Sequence, residues 1–115
     1  MKDTLFLLRA NFMDGQEGPF FCPETAMIEG MLSFYPRLRV ELEIHYIDFA
    51  KPRQPVLGLL GEAVQRTPVL VLGDQSRPAP AGVAVAEANG RRYIAQELEI
   101  CAYLAHAYRV GRPHR

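Results

Sequence analysis

The feature of this sequence best suited to chemistry is Cys22-Pro23-Glu24-Thr25, a thiol followed by proline and a nearby hydroxyl. Proline suits the first position of a helix, where its missing N–H would have no partner anyway, so Pro23 makes Cys22 the N-cap. A sulfur there meets unpaired backbone N–H groups and the positive end of the helix dipole, and both favour a thiolate. Cysteines so placed have pKa values of about 3.5–7.5, against about 8.5 for a free thiol, and are nucleophilic at neutral pH. Two features act in the other direction. Glu24 adds negative charge to the first turn, and Phe20 and Phe21 can desolvate the sulfur. The other cysteine, Cys101, falls on the apolar face of the last expected helix, where a free cysteine serves as core packing.

Arg9 closes the first expected strand and can pair with a thiolate or carboxylate there, or stand as a solvated strand end. His45, His106 and His114 have no ligand spacing, and the two cysteines suit no structural zinc site, so no metal is expected. Thirteen basic and thirteen acidic residues cancel, which removes the global field that draws a protein to nucleic acid or an anionic membrane. The apolar run Leu5 to Leu8 is far shorter than a signal segment or a membrane span. The expectation is a cytoplasmic protein with no nucleic-acid or membrane partner, its cysteines held as thiols.

A chain of 115 residues, 49% of them apolar, is sized for one domain with a real core. Leu5 to Leu8 reads as a strand buried on both faces. Asn11 to Phe21, with Asp14-Gly15 and Gly18-Pro19, reads as a long loop. From Pro23, the residues Met27, Ile28, Met31, Leu32 and Tyr35 recur at helical spacing until Pro36. Val40, Leu42, Ile44 and Tyr46 alternate with polar residues as a second strand. Val56 to Leu60 suggests a brief helix, and Thr67 to Leu72 a central strand. Val83 to Ala88 and Arg91 to Ile94 flank Asn89-Gly90 as a hairpin, or Arg91 to Ile94 pairs alone. A helix from about Ala95 to Tyr108 completes a β-α-β-α-β-β-α order, an α/β domain with a mixed sheet and helices on both faces.

That order, with Cys22-Pro23 opening the first helix and Thr67-Pro68 opening a central strand, resembles the thioredoxin-like fold, and most closely its glutaredoxin and glutathione-transferase branch. The resemblance spans nearly the whole chain. The whole sequence also resembles an uncharacterised family of short thioredoxin-like proteins recorded as a domain of unknown function. The resemblance implies a cis Pro68 beside the cysteine, although only about one X-Pro bond in twenty is cis in folded proteins. It also implies that Thr67 offers its backbone to a peptide or glutathione in the manner of an added strand. Gln96 and Glu97, at the start of the last helix, stand nearest the positions that hold the ligand's carboxylate and amino groups in related transferases.

Dithiol members carry Cys-x-x-Cys, and Thr25 occupies the second position here, so no disulfide can form within the motif. A single thiol resembles monothiol glutaredoxins and Cys-type glutathione transferases, in which glutathione resolves the mixed disulfide. The expected function is a thiol-dependent redox protein, linked to glutathione and without a tightly bound cofactor, that acts on a small thiol, a disulfide or a peptide. In this reading Cys22 is the nucleophile, Thr25 orients it, and Arg9, Pro23, Thr67, Pro68, Gln96 and Glu97 shape the ligand site. The alternative is a non-catalytic adaptor that holds a partner with the groove or with the 11–21 segment.

Overall fold

Successive side chains of a strand point to opposite faces, so a strand that is apolar throughout needs cover on both. In the computed structural model, which describes residues 1–114, β1 (Thr4–Leu8) is buried at every position. Leu5 and Leu7 face one core, and Phe6 and Leu8 face another. β5 (Val69–Val71) divides in the same way, with Leu70 in the first core and Val69 and Val71 in the second.

The first core is closed by α1 (Pro23–Phe34), α2 (Leu38–Glu41) and α4 (Glu97–Tyr108). The second is closed by α3 (Gln54–Leu60) through Val56 and Leu60. On α1 the buried apolar side chains are Ile28, Met31 and Leu32, while Met27 is largely exposed. Full burial of one such side chain stabilises the fold by about 1.5–3 kcal/mol.

The chain forms a five-stranded mixed sheet, adding β4 (Glu43–Ile47), β6 (Ala86–Ala88) and β7 (Arg91–Ile94), in the order β4-β1-β5-β7-β6. β4 runs parallel to β1, and the remaining pairs are antiparallel. Thr67–Pro68 is cis, as are Gly18–Pro19 and Lys51–Pro52.

Three expectations are corrected. The 11–21 segment is a hairpin of β2 (Phe12–Asp14) and β3 (Glu17–Phe20), turned at Gly15 with φ 66°. No position on either strand is buried, so it carries no apolar alternation to read. The second strand begins at Glu43 rather than Val40, because Leu38 and Leu42 lie one helical turn apart and are both buried while Val40 is exposed. Arg37 and Glu41 add an ion pair of 3.0 Å at the i,i+4 spacing of that turn. Around Asn89-Gly90 a hairpin does form, but only Ala86–Ala88 of the first segment pairs, and α4 starts at Glu97 with Gln96 as its N-cap.

At the end of the sheet where β1 begins, Asp3 is a buried carboxylate. It accepts hydrogen bonds from Gly73 N at 2.7 Å, Tyr108 Oη at 2.8 Å and Tyr103 Oη at 3.0 Å. Gly73 is required there, since a Cβ would lie 2.1 Å from Met1 O. Burial first, and then the Asp3 charge, push the Tyr103 hydroxyl up to about 12. Tyr108 is raised in the same way.

Candidate functional site

Strand direction fixes where ligand chemistry can gather. β1 ends at Leu8, β5 begins beside it in antiparallel register with Phe6 opposite Val69, and β7 ends beside the start of β5 with Ile94 opposite Leu70. Continued by one or two residues, those registers put Pro68 and Thr67 beside Leu7 and Leu8, and Gln96 beside Pro68. The start of α1 reaches the same place, because Leu8 N donates to Thr25 Oγ1 at 3.2 Å. Cys22, Thr25, Thr67, Pro68, Gln96 and Glu97 are thus brought to one end of the sheet, opposite Asp3. Pro23 is the first residue of α1 and is exposed.

Cys22 is the N-cap of α1, with extended backbone angles of φ −81° and ψ 119°. Its Sγ accepts the Thr25 N–H at 3.5 Å, so one of the four orphan amides of the helix start is spent on sulfur. Thr25 therefore acts on the thiol through its backbone. Its buried hydroxyl is spent on β1 and does not reach Cys22. The Cys22 S–H donates to Glu24 Oε2 at 3.5 Å, which sets a carboxylate beside the sulfur.

Cys22 is half-buried, packed against the second core. The aromatic residues of that cluster are Phe6, Tyr93, Phe12 from the hairpin and Phe49, the last two stacked with centroids 4.5 Å apart, whereas Phe20 and Phe21 are exposed. Phe20 and Phe21, the two rings nearest the cysteine in sequence, are thus not part of the cluster it packs in.

Arg9 turns toward β4. Its Nη2 donates to Tyr46 O at 2.7 Å and its Nη1 lies 3.7 Å from Asp48. Gln96 makes no capping bond with its side chain, and Glu97 sits in the first turn of α4. Cys101 is fully buried in the first core, and burial together with Glu97 pushes its thiol up to about 11. Among the described residues, no three His, Cys, Asp or Glu side chains converge into a group able to hold a metal. None of the described helices is long and apolar enough to cross a membrane.

Sequence reading missed Arg53, which caps the start of α3 and is only 9% exposed. Its Nε and Nη2 donate to Phe49 O at 3.0 and 2.8 Å, and its Nη1 to Gln65 O at 3.0 Å and Thr67 Oγ1 at 3.2 Å. Its guanidinium carbon lies 5.5 Å from the centre of the Phe49 ring. A charged residue between Pro52 and Pro55, outside any apolar period, gave no signal of burial.

A model of the family described as "Protein of unknown function (DUF3088)" matches residues 2–112. The chain belongs to this family. Neither a curated protein nor a solved structure matches it. In this DUF3088 member the thiol at the start of α1 lies at the end of the sheet opposite Asp3.

Proposed function

We propose that this protein is a one-domain, thioredoxin-like, single-thiol redox protein in which Cys22 exchanges with disulfides and glutathione serves as the co-reactant. The observation that carries the reading is the Cys22 sulfur at the N-cap of α1, accepting the Thr25 amide and half open to solvent. A mixed sheet with helices on both faces is what the resemblance implies, and the observed order β4-β1-β5-β7-β6, with one parallel pair, supports the same reading.

In the reaction, the Cys22 thiolate attacks one sulfur of a glutathione-containing disulfide. An S–S bond to glutathione forms, the old S–S bond breaks, and the leaving thiolate takes a proton from water. A second glutathione thiolate then attacks the bound glutathione sulfur, which releases oxidised glutathione and restores Cys22. The net change converts the mixed disulfide and one free glutathione into a free thiol and oxidised glutathione, with the free glutathione as reductant, so no second protein cysteine is needed. In this reading Thr67 and Pro68, at the same end of the sheet, form the edge along which the ligand lies, and Gln96 and Glu97 bound its far side.

Intact mass after exposure to oxidised glutathione tests this. One adduct, mapped to Cys22 and absent in Cys22→Ser, is the expected result. An unmodified protein that stays folded overturns the redox reading and favours the adaptor. That reading draws on Met13, Phe20 and Phe21, which the hairpin and the residue after it expose near the same end of the sheet.

A further inference from the structure

A buried guanidinium costs several kcal/mol in desolvation unless something compensates its charge. Arg53 is about nine-tenths buried, yet no carboxylate among the described residues pairs with it. Four of its five N–H groups are spent on neutral oxygens, three bonds going to carbonyls and one to the Thr67 hydroxyl. The fifth, on Nη2, has no acceptor among those residues.

The polar staple explains how the 49–67 segment is held, but it supplies no negative charge. The same guanidinium lies over Phe49, which packs in one cluster with Cys22, and is bonded to Thr67, which sits at the end of β1 beside the start of α1. We propose that Arg53 is the positioning cation of the Cys22 site, the interior positive charge that compensates the Cys22 thiolate when the thiol ionises, held in place by its bond to Thr67. This rests on reading Cys22 as the nucleophile.

Electrostatic coupling between the two supports it. Burial lowers the Arg53 pKa, and the opposing pull is the negative charge of Cys22. Opposite charges thus belong to one site: the Glu24 carboxylate, 3.5 Å from the sulfur on the first turn, and the Arg53 guanidinium in the interior. A cation within reach of a thiolate shifts its titration by about 1–3 units.

The test combines two measurements. The rate of Cys22 alkylation by iodoacetamide is followed against pH in wild type, Arg53→Gln and Arg53→Lys, with circular dichroism to verify folding. The expected result is a midpoint raised by about one unit or more in Arg53→Gln and largely restored in Arg53→Lys. A folded Arg53→Gln with the wild-type midpoint overturns the proposal, since loss of the staple alone would lower the melting temperature without moving the midpoint.

The second measurement needs no Arg53 variant. The Arg53 Nε–H resonance of the wild-type protein is expected to move with the titration of Cys22 and to stand still over the same pH range in Cys22→Ser. A wild-type resonance that stays fixed while Cys22 titrates also overturns the proposal. These readouts are independent of the glutathione adduct, so failure of the redox reading and failure of the Arg53 assignment give different results.

Discussion

Replacing Glu24 with glutamine isolates one charge at the Cys22 site. Glu24 Oε2 receives the Cys22 S–H at 3.5 Å, so in the thiolate form a carboxylate and a sulfur anion face one another across a similar gap. At about 4 Å, two unit charges interact by about 1 kcal/mol in water and about 4 kcal/mol at an effective dielectric constant of 20. Glu24 is only half-buried, which puts the repulsion near the lower figure, at about 1.4 kcal/mol, or roughly tenfold in thiolate fraction. Part of that gain is returned, because a less basic thiolate is a poorer nucleophile, with a Brønsted coefficient of about 0.4–0.5 for disulfide exchange. The net expectation for Glu24→Gln is a rise of about threefold in the rate of exchange with a small neutral disulfide, measured below the thiol's midpoint. The same change removes a first-turn carboxylate that stabilises α1, so stability should fall by about 0.3–1 kcal/mol. Faster chemistry on a slightly less stable protein is thus the joint signature. A folded Glu24→Gln protein that exchanges no faster than wild type would show that the carboxylate does not act on the sulfur.

Two further expectations concern the opposite end of the sheet. Asp3→Ala removes one acceptor from a backbone amide and two tyrosine hydroxyls in a buried setting and should cost about 3 kcal/mol in urea unfolding. Its Cys22 alkylation rate should remain that of the wild type, and an unchanged unfolding midpoint would contradict the assignment of Asp3 as a structural clamp. The Tyr103 hydroxyl is raised to about 12 by burial and by the Asp3 charge, above the ordinary tyrosine value of about 10. Below pH 10 both folded and unfolded chains keep the proton, so its contribution to stability is fully present there; between about 10 and 12 only the unfolded chain loses the proton, and stability should fall. Tyr108 acts in the same direction. Denaturant unfolding at several pH values across that window checks the sign, and a flat profile would refute it.

Elements that bury apolar side chains at a steady period were legible in the sequence. β1 and β5 are apolar runs because both faces of the sheet are covered, and α1 announces itself through Pro23 and the spacing of Ile28, Met31 and Leu32. The β2–β3 hairpin was not legible, since its side chains are at most half-buried and its pairing rests on backbone bonds and the glycine turn. The stretch from Val40 to Tyr46 misled for a different reason. Its alternation of apolar and polar residues is real in the sequence, but Val40 and Tyr46 lie exposed, and the buried pair Leu38 and Leu42 follows a helical spacing instead.

At the candidate site the same distinction separates backbone from side chain. That Cys22 caps α1 follows from local rules about proline and helix starts, which need no knowledge of the rest of the chain. Which groups surround the sulfur is a tertiary matter. Thr25 looked like a hydroxyl for the thiol, yet β1 claims that hydroxyl because Leu8 N, at the end of its strand, needs an acceptor, and only the Thr25 amide remains for sulfur. Arg9 looked like the local cation, yet it is drawn to Tyr46 O and Asp48 across the parallel β1–β4 pair. The cation left in the interior is Arg53, far from Cys22 in sequence and delivered by the turn that carries the chain from β4 into α3. Its carbonyl partners at Phe49 and Gln65 bind it from both sides of α3, so the fold of that segment depends on one side chain. A sequence pattern centred on Cys22 could not reveal this, because the arginine is recruited by carbonyls of the 49–67 segment and reaches the end of β1 only through its bond to Thr67.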